Sequence, residues 1–176
     1  MKITNTIEAP VVSSSEQHMT FMGLPIDGSL DLFVDALVGK GFKLAKKTPA
    51  ADGSPSSALL NGSFAGFKDC SVTVKTAGPD LVCQVDVDFP VGDYWAVAVK
   101  RYALLASFLA SKYGRPEEEL SWVSVFRTKT GKITLSSSRP RLSMEGSLSL
   151  SYIDKANDAP EKKLTGILYE QAIKDL

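Results

Sequence analysis

Cys70-Ser71-Val72-Thr73-Val74-Lys75-Thr76-Ala77-Gly78-Pro79-Asp80-Leu81-Val82-Cys83-Gln84-Val85-Asp86-Val87-Asp88-Phe89 alternates apolar and polar residues on both sides of an Ala-Gly-Pro-Asp turn. A period of two sends successive side chains to opposite faces of a strand, so the stretch reads as an antiparallel hairpin with one buried and one wet face. Pairing centred on that turn sets Val74 opposite Cys83, Val72 opposite Val85 and Cys70 opposite Val87 inside. Ser71 then faces Asp86, and Thr73 faces Gln84, on the outer side. Both cysteines point inward, but they stand about 13 Å apart along the ladder. A disulfide needs Cα atoms within about 7 Å, so two buried free thiols are expected.

Upstream, Leu59 to Phe67 makes a third strand, reached through an exposed Pro-, Gly- and Ser-rich connection from Thr48 to Ser57. Phe42 to Ala45 starts another strand. Before it, Leu30, Phe33, Val34, Leu37 and Val38 recur at the spacing of one helical face, with Ser29 as N-cap and Gly41 after the end. Met19 to Pro25 reads as a short strand followed by a turn at Ile26-Asp27-Gly28. Residues 1–18 hold no sustained period and read as a flexible or loosely docked arm; residues 19–176 read as one domain.

Downstream, Asp93 is the expected N-cap of a long helix from Tyr94 to about Lys112, closed by Gly114 and Pro116. Trp95, Ala98, Val99, Tyr102, Leu105, Ala106 and Leu109 form its core stripe. Tyr94, Val97, Leu104 and Phe108 widen that stripe beyond what one core contact requires. Strands follow at Ser121 to Thr128, Lys132 to Ser137 and Gly146 to Ile153. The last of these alternates Leu148, Leu150 and Tyr152 with Ser147, Ser149 and Ser151. Pro160 opens a closing helix with Leu164, Ile167, Leu168 and Ala172 on one face. The expected fold is α+β: an antiparallel sheet, or sheets, of about seven to eight strands packed against one long apolar helix and two shorter ones. The two halves each supply a helix and several strands, yet their residue identities do not mark a duplication.

Composition narrows the chemistry. The 176 residues are 44% hydrophobic and 23% charged, and twenty Lys+Arg balance twenty Asp+Glu. No global field draws the chain to nucleic acid, and no apolar run reaches the roughly 18 residues of a membrane span. Met1 to Pro10 holds no apolar leader, so the expected location is cytoplasmic, with a secreted or periplasmic one reserved for a chain trimmed at its N-terminus. His18 is the one histidine, which leaves Ser-His-Asp, Cys-His and histidine-rich zinc arrangements without a base or ligand set. No phosphate loop, dinucleotide fingerprint or nucleophile elbow occurs. Neither cofactor nor metal is expected.

Three constellations remain. Asp86 and Asp88 share a strand face, with Asp69 expected opposite Asp88; paired carboxylates serve acid–base chemistry or a hard cation, but more often line a solvated sheet. Arg127, Lys129, Lys132, Arg139 and Arg141 fall in a stretch free of acids and rich in Ser and Thr. Such a hairpin can track phosphates, with Trp122 or Phe126 offering a stacking face. Tyr94, Trp95, Val97, Leu104 and Phe108 on the long helix form an interaction surface if the core does not absorb them.

Phe21-Met22-Gly23-Leu24-Pro25-Ile26-Asp27-Gly28-Ser29-Leu30 and Lys40-Gly41-Phe42 carry a resemblance. So do Gly62 to Cys70, Lys112-Tyr113-Gly114-Arg115-Pro116 and Gly131-Lys132-Ile133. Together they make the chain similar, over about Met19 to Asp158, to small uncharacterised α+β proteins of Bacteroidetes. The resemblance implies a single domain and brings no activity with it. The function expected from the residues is that of a non-enzymatic interaction or adaptor protein. Its surface is the apolar helix and an exposed sheet face, and its partner is another protein or a second copy. The alternative is a nucleic-acid or small anionic ligand-binding module built on residues 127–141. A third class is a hydrolase using Asp86 and Asp88.

Overall fold

A computed structural model describes residues 17–51, 55–78, 80–92, 94–139 and 145–158, together with Lys174. The arm up to residue 16, Asp93, Arg141 and the closing helix drawn from Pro160 through Ala172 lie outside the described residues. Met19 to Pro25 forms a miniature hairpin, not a single strand. Its strands are β1 (Thr20–Phe21) and β2 (Leu24–Pro25). Met22 and Gly23 both take positive φ, 51° and 79°, as a tight two-residue hairpin turn demands.

The first helix, α1 (Leu30–Gly39), buries Leu30, Phe33, Val34 and Leu37, while Val38 faces solvent. Two oxygens cap it. Ser29 Oγ accepts from Leu32 N at 3.3 Å, and Asp80 Oδ1 accepts from Leu30 N at 2.9 Å from far along the chain. Four strands then meander: β3 (Lys43–Thr48), β4 (Ser57–Phe64), β5 (Phe67–Ala77) and β6 (Leu81–Asp88). The 19-residue helix α2 (Trp95–Tyr113) follows, with Tyr94 at its N-cap and no side-chain cap bond. A second meander comprises β7 (Glu118–Leu120), β8 (Val123–Arg127), β9 (Gly131–Ser138) and β10 (Ser147–Asp154). Helical residues begin again at Lys155.

The eight longer strands form one sheet in the order β3-β4-β5-β6-β10-β9-β8-β7, and every neighbour is antiparallel. Each half of the chain is thus a helix followed by a four-strand meander, and the last strands of the two halves meet at the centre. The repeat is one of topology, which a period-two pattern cannot reveal. The expected strand at Ser121 to Thr128 divides into β7 and β8. The edge strand Glu118–Leu120 has no alternation to announce it.

The β5–β6 register differs from the expected one by two residues: Ser71 faces Asp88, Thr73 faces Asp86, and Val72 faces Val87. The pairs nearest the turn, Ala77 with Leu81 and Thr76 with Val82, are already displaced by one residue, and an irregularity between Lys75 and Thr76, where the pairing passes over Cys83, adds the second. Because the total displacement is even, each side chain beyond it keeps its expected face. Asp69 consequently does not stand opposite Asp88.

The inner face is apolar across the six interior strands, while the edge strands β3 and β7 are exposed throughout. Leu60, Cys70, Val72, Val74, Val85, Val87, Leu148, Leu150, Ile133 and Leu135 join one buried cluster with α1 and with Ala98, Leu105 and Leu109 of α2. An aromatic group fills the space between the helices: Phe21 stacks on Phe64 at 5.0 Å and meets Tyr152 edge-on at 5.3 Å. Cys70 and Cys83 are buried free thiols. The outer face is lined by serines, threonines and charged residues, among them Ser71, Thr73, Asp86, Ser149, Ser151 and Thr134, which fall side by side in register. Among the described residues no helix is long and apolar enough to cross a membrane.

Candidate interaction surface

Helix α2 is held to the sheet by Ala98, Leu105 and Leu109, and it packs over β8, β9 and β10. Its two flanks differ. On one, Trp95 lies edge-on to Trp122 with ring centroids 5.2 Å apart, Tyr102 meets Trp122 at 5.7 Å, and Tyr102 Oη bonds to Ser124 Oγ at 2.7 Å. Trp95 therefore belongs to the packing of the second half.

The opposite flank carries Tyr94, Val97, Arg101, Leu104 and Phe108, separated by three, four, three and four residues. That is the spacing at which a helix seams against another helix. Here no described element covers most of the seam: Tyr94 is 67% exposed, Leu104 45% and Phe108 51%. Val97 and Arg101 are half-buried, and the Arg101 guanidinium sits 5.3 Å from the centre of the Phe67 ring at the β4–β5 tip. Around that contact lies a groove of about 440 Å³, walled by Phe67, Lys68, Val91, Tyr94, Val97 and Arg101. Four of the five helix residues expected in an interaction surface thus share one exposed flank, and Trp95 is the one turned away. Exposed Leu120 and Trp122 lie beyond the Trp95 flank.

The basic residues expected to act together fall at two places. Arg127 and Lys132 are cross-strand partners at one end of β8–β9, with Lys129 in the turn between them. Arg139 follows the other end of β9, about 23 Å away at the rise of a strand, and Arg141 lies outside the described residues. Arg127 is itself paired, its Nε 3.0 Å from Glu117 and its Nη2 3.1 Å from Glu118. Arg127, Lys132 and Lys155 line a small cavity of about 230 Å³ with Ile153 and Asp158. Phe126 is buried in the core and Trp122 packs on α2, so neither presents a ring beside that cavity.

Asp86 and Asp88 stand on the outer sheet face. Asp86 is held by Lys75 Nζ at 2.6 Å, Ser151 Oγ at 2.7 Å and Gln84 Nε2 at 2.8 Å. Burial raises the Asp88 carboxyl above its ordinary value and the charge of Asp86 adds to this, while Lys75 pulls the other way. The pair is a braced ladder of polar side chains, with Ser149 and Ser151 across from it on β10.

The cluster the sequence did not reveal lies where the two ends of the fold meet. Asp154, 0% exposed, accepts from Met19 N at 2.7 Å and Asn157 N at 3.0 Å, and its Oδ2 is 3.0 Å from His18 Nδ1. Asn157 Nδ2 donates to the carbonyls of Ile26 and Val82 and to Asp27 Oδ1. His18 Nε2 is 3.5 Å from Asp27 Oδ2. His18, assigned to the arm, is therefore docked between two carboxylates. The signal was present only in the pairing of distant residues, which a single chain read linearly does not show. Among the described residues no group of three His, Cys, Asp or Glu could hold a metal ion. No protein-family model matches the chain, and no curated protein and no solved structure shows significant similarity to it.

Proposed function

We propose that the protein is a non-enzymatic interaction module that takes an amphipathic helix along the exposed flank of α2. The observation that carries this is the seam Tyr94, Val97, Leu104 and Phe108, set at helix-pairing spacing and left largely uncovered by the described fold. Finishing the burial of Leu104 and Phe108 stabilises a complex by roughly 1 to 1.5 kcal/mol for each side chain, since each is already about half covered. Arg101 in the middle of the seam gives the partner a polar register point, and Lys68 and Asp69 beside it offer charges of both signs to the polar flank of a partner helix. The braced outer sheet face supports the same non-catalytic reading.

The test compares the wild-type chain with the double variant Leu104→Asp and Phe108→Asp as baits in lysate of the native host. The expected outcome is a captured protein lost from the variant while its circular dichroism and melting temperature stay unchanged. Identical captures by both baits overturn the proposal.

A second reading has one observation in its favour. The cavity has the size for a small anion and is lined by Lys132 and Lys155 together with Asp158 and an Arg127 already met by Glu117 and Glu118, and its distance from Arg139 disfavours an extended nucleic-acid track. Titration with inorganic phosphate, followed through the Thr128 to Lys132 amide resonances, tests it; resonances that stay fixed dispose of it.

A further inference from the structure

The eight-stranded sheet ends in two edges of opposite charge. We infer that these edges join copies of the chain head to tail, β3 of one copy pairing with β7 of the next, so that the sheet continues from molecule to molecule. The contact uses neither the α2 flank nor the cavity beside Lys132.

Among the described residues no strand pairs with the outer side of β3 or of β7. All six residues of β3 and all three of β7 are exposed. An edge strand offers a row of unpaired backbone N–H and C=O groups that another strand can satisfy. Strand β3 reads Lys43-Leu44-Ala45-Lys46-Lys47-Thr48, whereas Glu117 leads into the Glu118-Glu119-Leu120 of β7. Part of this charge is already met within the chain: Lys47 Nζ holds Asp31, and Arg127 holds Glu117 and Glu118. Three lysines less Asp31 leave β3 with an excess of two positive charges, and three glutamates less Arg127 leave the β7 edge with an excess of two negative ones.

Sign and direction select the pairing. A two-fold contact of β3 with β3 sets lysines against lysines, and one of β7 with β7 sets glutamates against glutamates. Lysines guard an edge against wrong partners, and here they bar the strand's own kind while admitting the acidic edge. Every neighbour in the sheet is antiparallel, so β3 and β7, first and eighth in the order, run in opposite directions. A copy added side by side, with its helices on the same face, therefore brings its β7 antiparallel to β3. The faces match as well. Lys47 stands opposite Ala58 and Glu119 opposite Ser124, both buried positions of the inner face. Setting Glu119 beside Lys47 brings Leu120, 70% exposed, against the aliphatic stem of Lys46 on the outer face. A contact across a three-residue strand is small, so it forms in concentrated solution and dissolves on dilution. Twist of about −20 to −25° per strand accumulates from one β3 to the next and makes the addition an open helical chain.

The test is sedimentation of the full chain over a range of concentrations. At about 0.01 M salt, where charges act over about 30 Å, the average mass rises with concentration and does not level off at the dimer. At about 1 M, where they act over about 3 Å, it returns toward the monomer. Lys43→Glu with Lys46→Glu makes both edges acidic, and Glu118→Lys with Glu119→Lys makes both basic. Each of these variants alone associates several-fold more weakly than wild type. An equal mixture of the two recovers association, which a misfolded chain does not do. Leu104→Asp with Phe108→Asp associates as wild type does. A monomer at every concentration in low salt overturns the inference, and so does a mass that levels off at the dimer. A mixture that stays monomeric while both edge variants keep the wild-type melting temperature overturns it as well. Loss of association from the Leu104 and Phe108 variant also overturns it and assigns the contact to the α2 flank.

Discussion

Nδ1 of His18 lies 3.0 Å from Oδ2 of Asp154, and this contact across 136 residues closes the two ends of the described fold onto each other. The carboxylate is fully buried and also accepts from the backbone at Met19 and Asn157. Such a group is stable only while its donors stay in place. Asp154→Ala leaves two buried backbone N–H groups and an imidazole without their acceptor, at a cost of about 3 to 5 kcal/mol. Asp154→Asn keeps one acceptor oxygen but turns an amide N–H₂ toward a donor, so it falls between wild type and Asp154→Ala. Urea unfolding curves read this as an ordered series of midpoints; equal midpoints for all three chains remove the clasp from the account of stability.

Asp27 and Asp88 predict opposite responses to pH. At Asp27, burial pushes the carboxyl up, but the Asn157 amide, the Gly28 backbone N–H and His18 together bring it below its ordinary value of 3.8. A lowered folded value means stability that is complete above the unfolded value and lost as pH falls through the folded one. Asp27→Asn is therefore less stable than wild type at neutral pH, and the gap closes in strong acid. At Asp88, burial and the Asp86 charge raise the folded value above 3.8. The charged form is penalised in the fold, so the penalty is full above the raised value and vanishes below 3.8. Asp88→Asn accordingly melts higher than wild type at neutral pH and loses that advantage on acidification. Melting temperatures of the three chains from neutral to acid pH check both signs; a parallel offset at every pH refutes the titration argument for that residue.

Much of this architecture is legible in the chain, and the part that is not has a physical cause. Period-two runs such as Leu148 to Tyr152 and the Cys70 to Phe89 hairpin announce their buried faces, because side-chain direction alternates whatever the partner strand does. Register depends on where the turn closes, at Ala77 and Leu81, and on one irregular residue, Cys83, which looks like any other small apolar position in sequence. The outward flank of α2 is visible as a surplus of apolar residues, but its two sides separate only once Trp122 is seen to claim Trp95. The basic stretch from Arg127 to Arg141 looks like one patch in sequence because a strand's length, about 23 Å from end to end, is invisible in residue numbers. His18 and Asp154 carry no local signal at all.

Gly131 opens β9 opposite Asp154, and a Cβ there would run into the Ile153 carbonyl of β10. The backbone at that point cannot yield without breaking the β9–β10 pairing that also positions Asp154. Gly131→Ala is expected to cost about 2 kcal/mol or more, unusual for a change of one methyl group. Gly39→Ala is the matched control, since nothing lies near its Cβ and it sits in α1, where alanine is favoured by about 1 kcal/mol. Thermal unfolding of the two variants should move in opposite directions; a shared direction removes the close approach as the cause.

Trp122 combines two opposing effects that one pair of substitutions can separate. Its φ is 65°, a left-handed conformation that costs a bulky residue about 1 kcal/mol or more, in the two-residue turn between β7 and β8. The ring offsets that cost by packing edge-on against Trp95 and Tyr102 while remaining 39% exposed. Trp122→Ala loses the ring and keeps the strain, so it is destabilised by about 2 to 3 kcal/mol. Trp122→Gly loses the same ring but relieves the strain, because glycine takes positive φ at little cost. Glycine is therefore the milder replacement by about 1 kcal/mol, the reverse of the usual order for positions inside strands and helices. Equilibrium unfolding of the two variants decides it: alanine more stable than glycine at this site means that the turn is not strained.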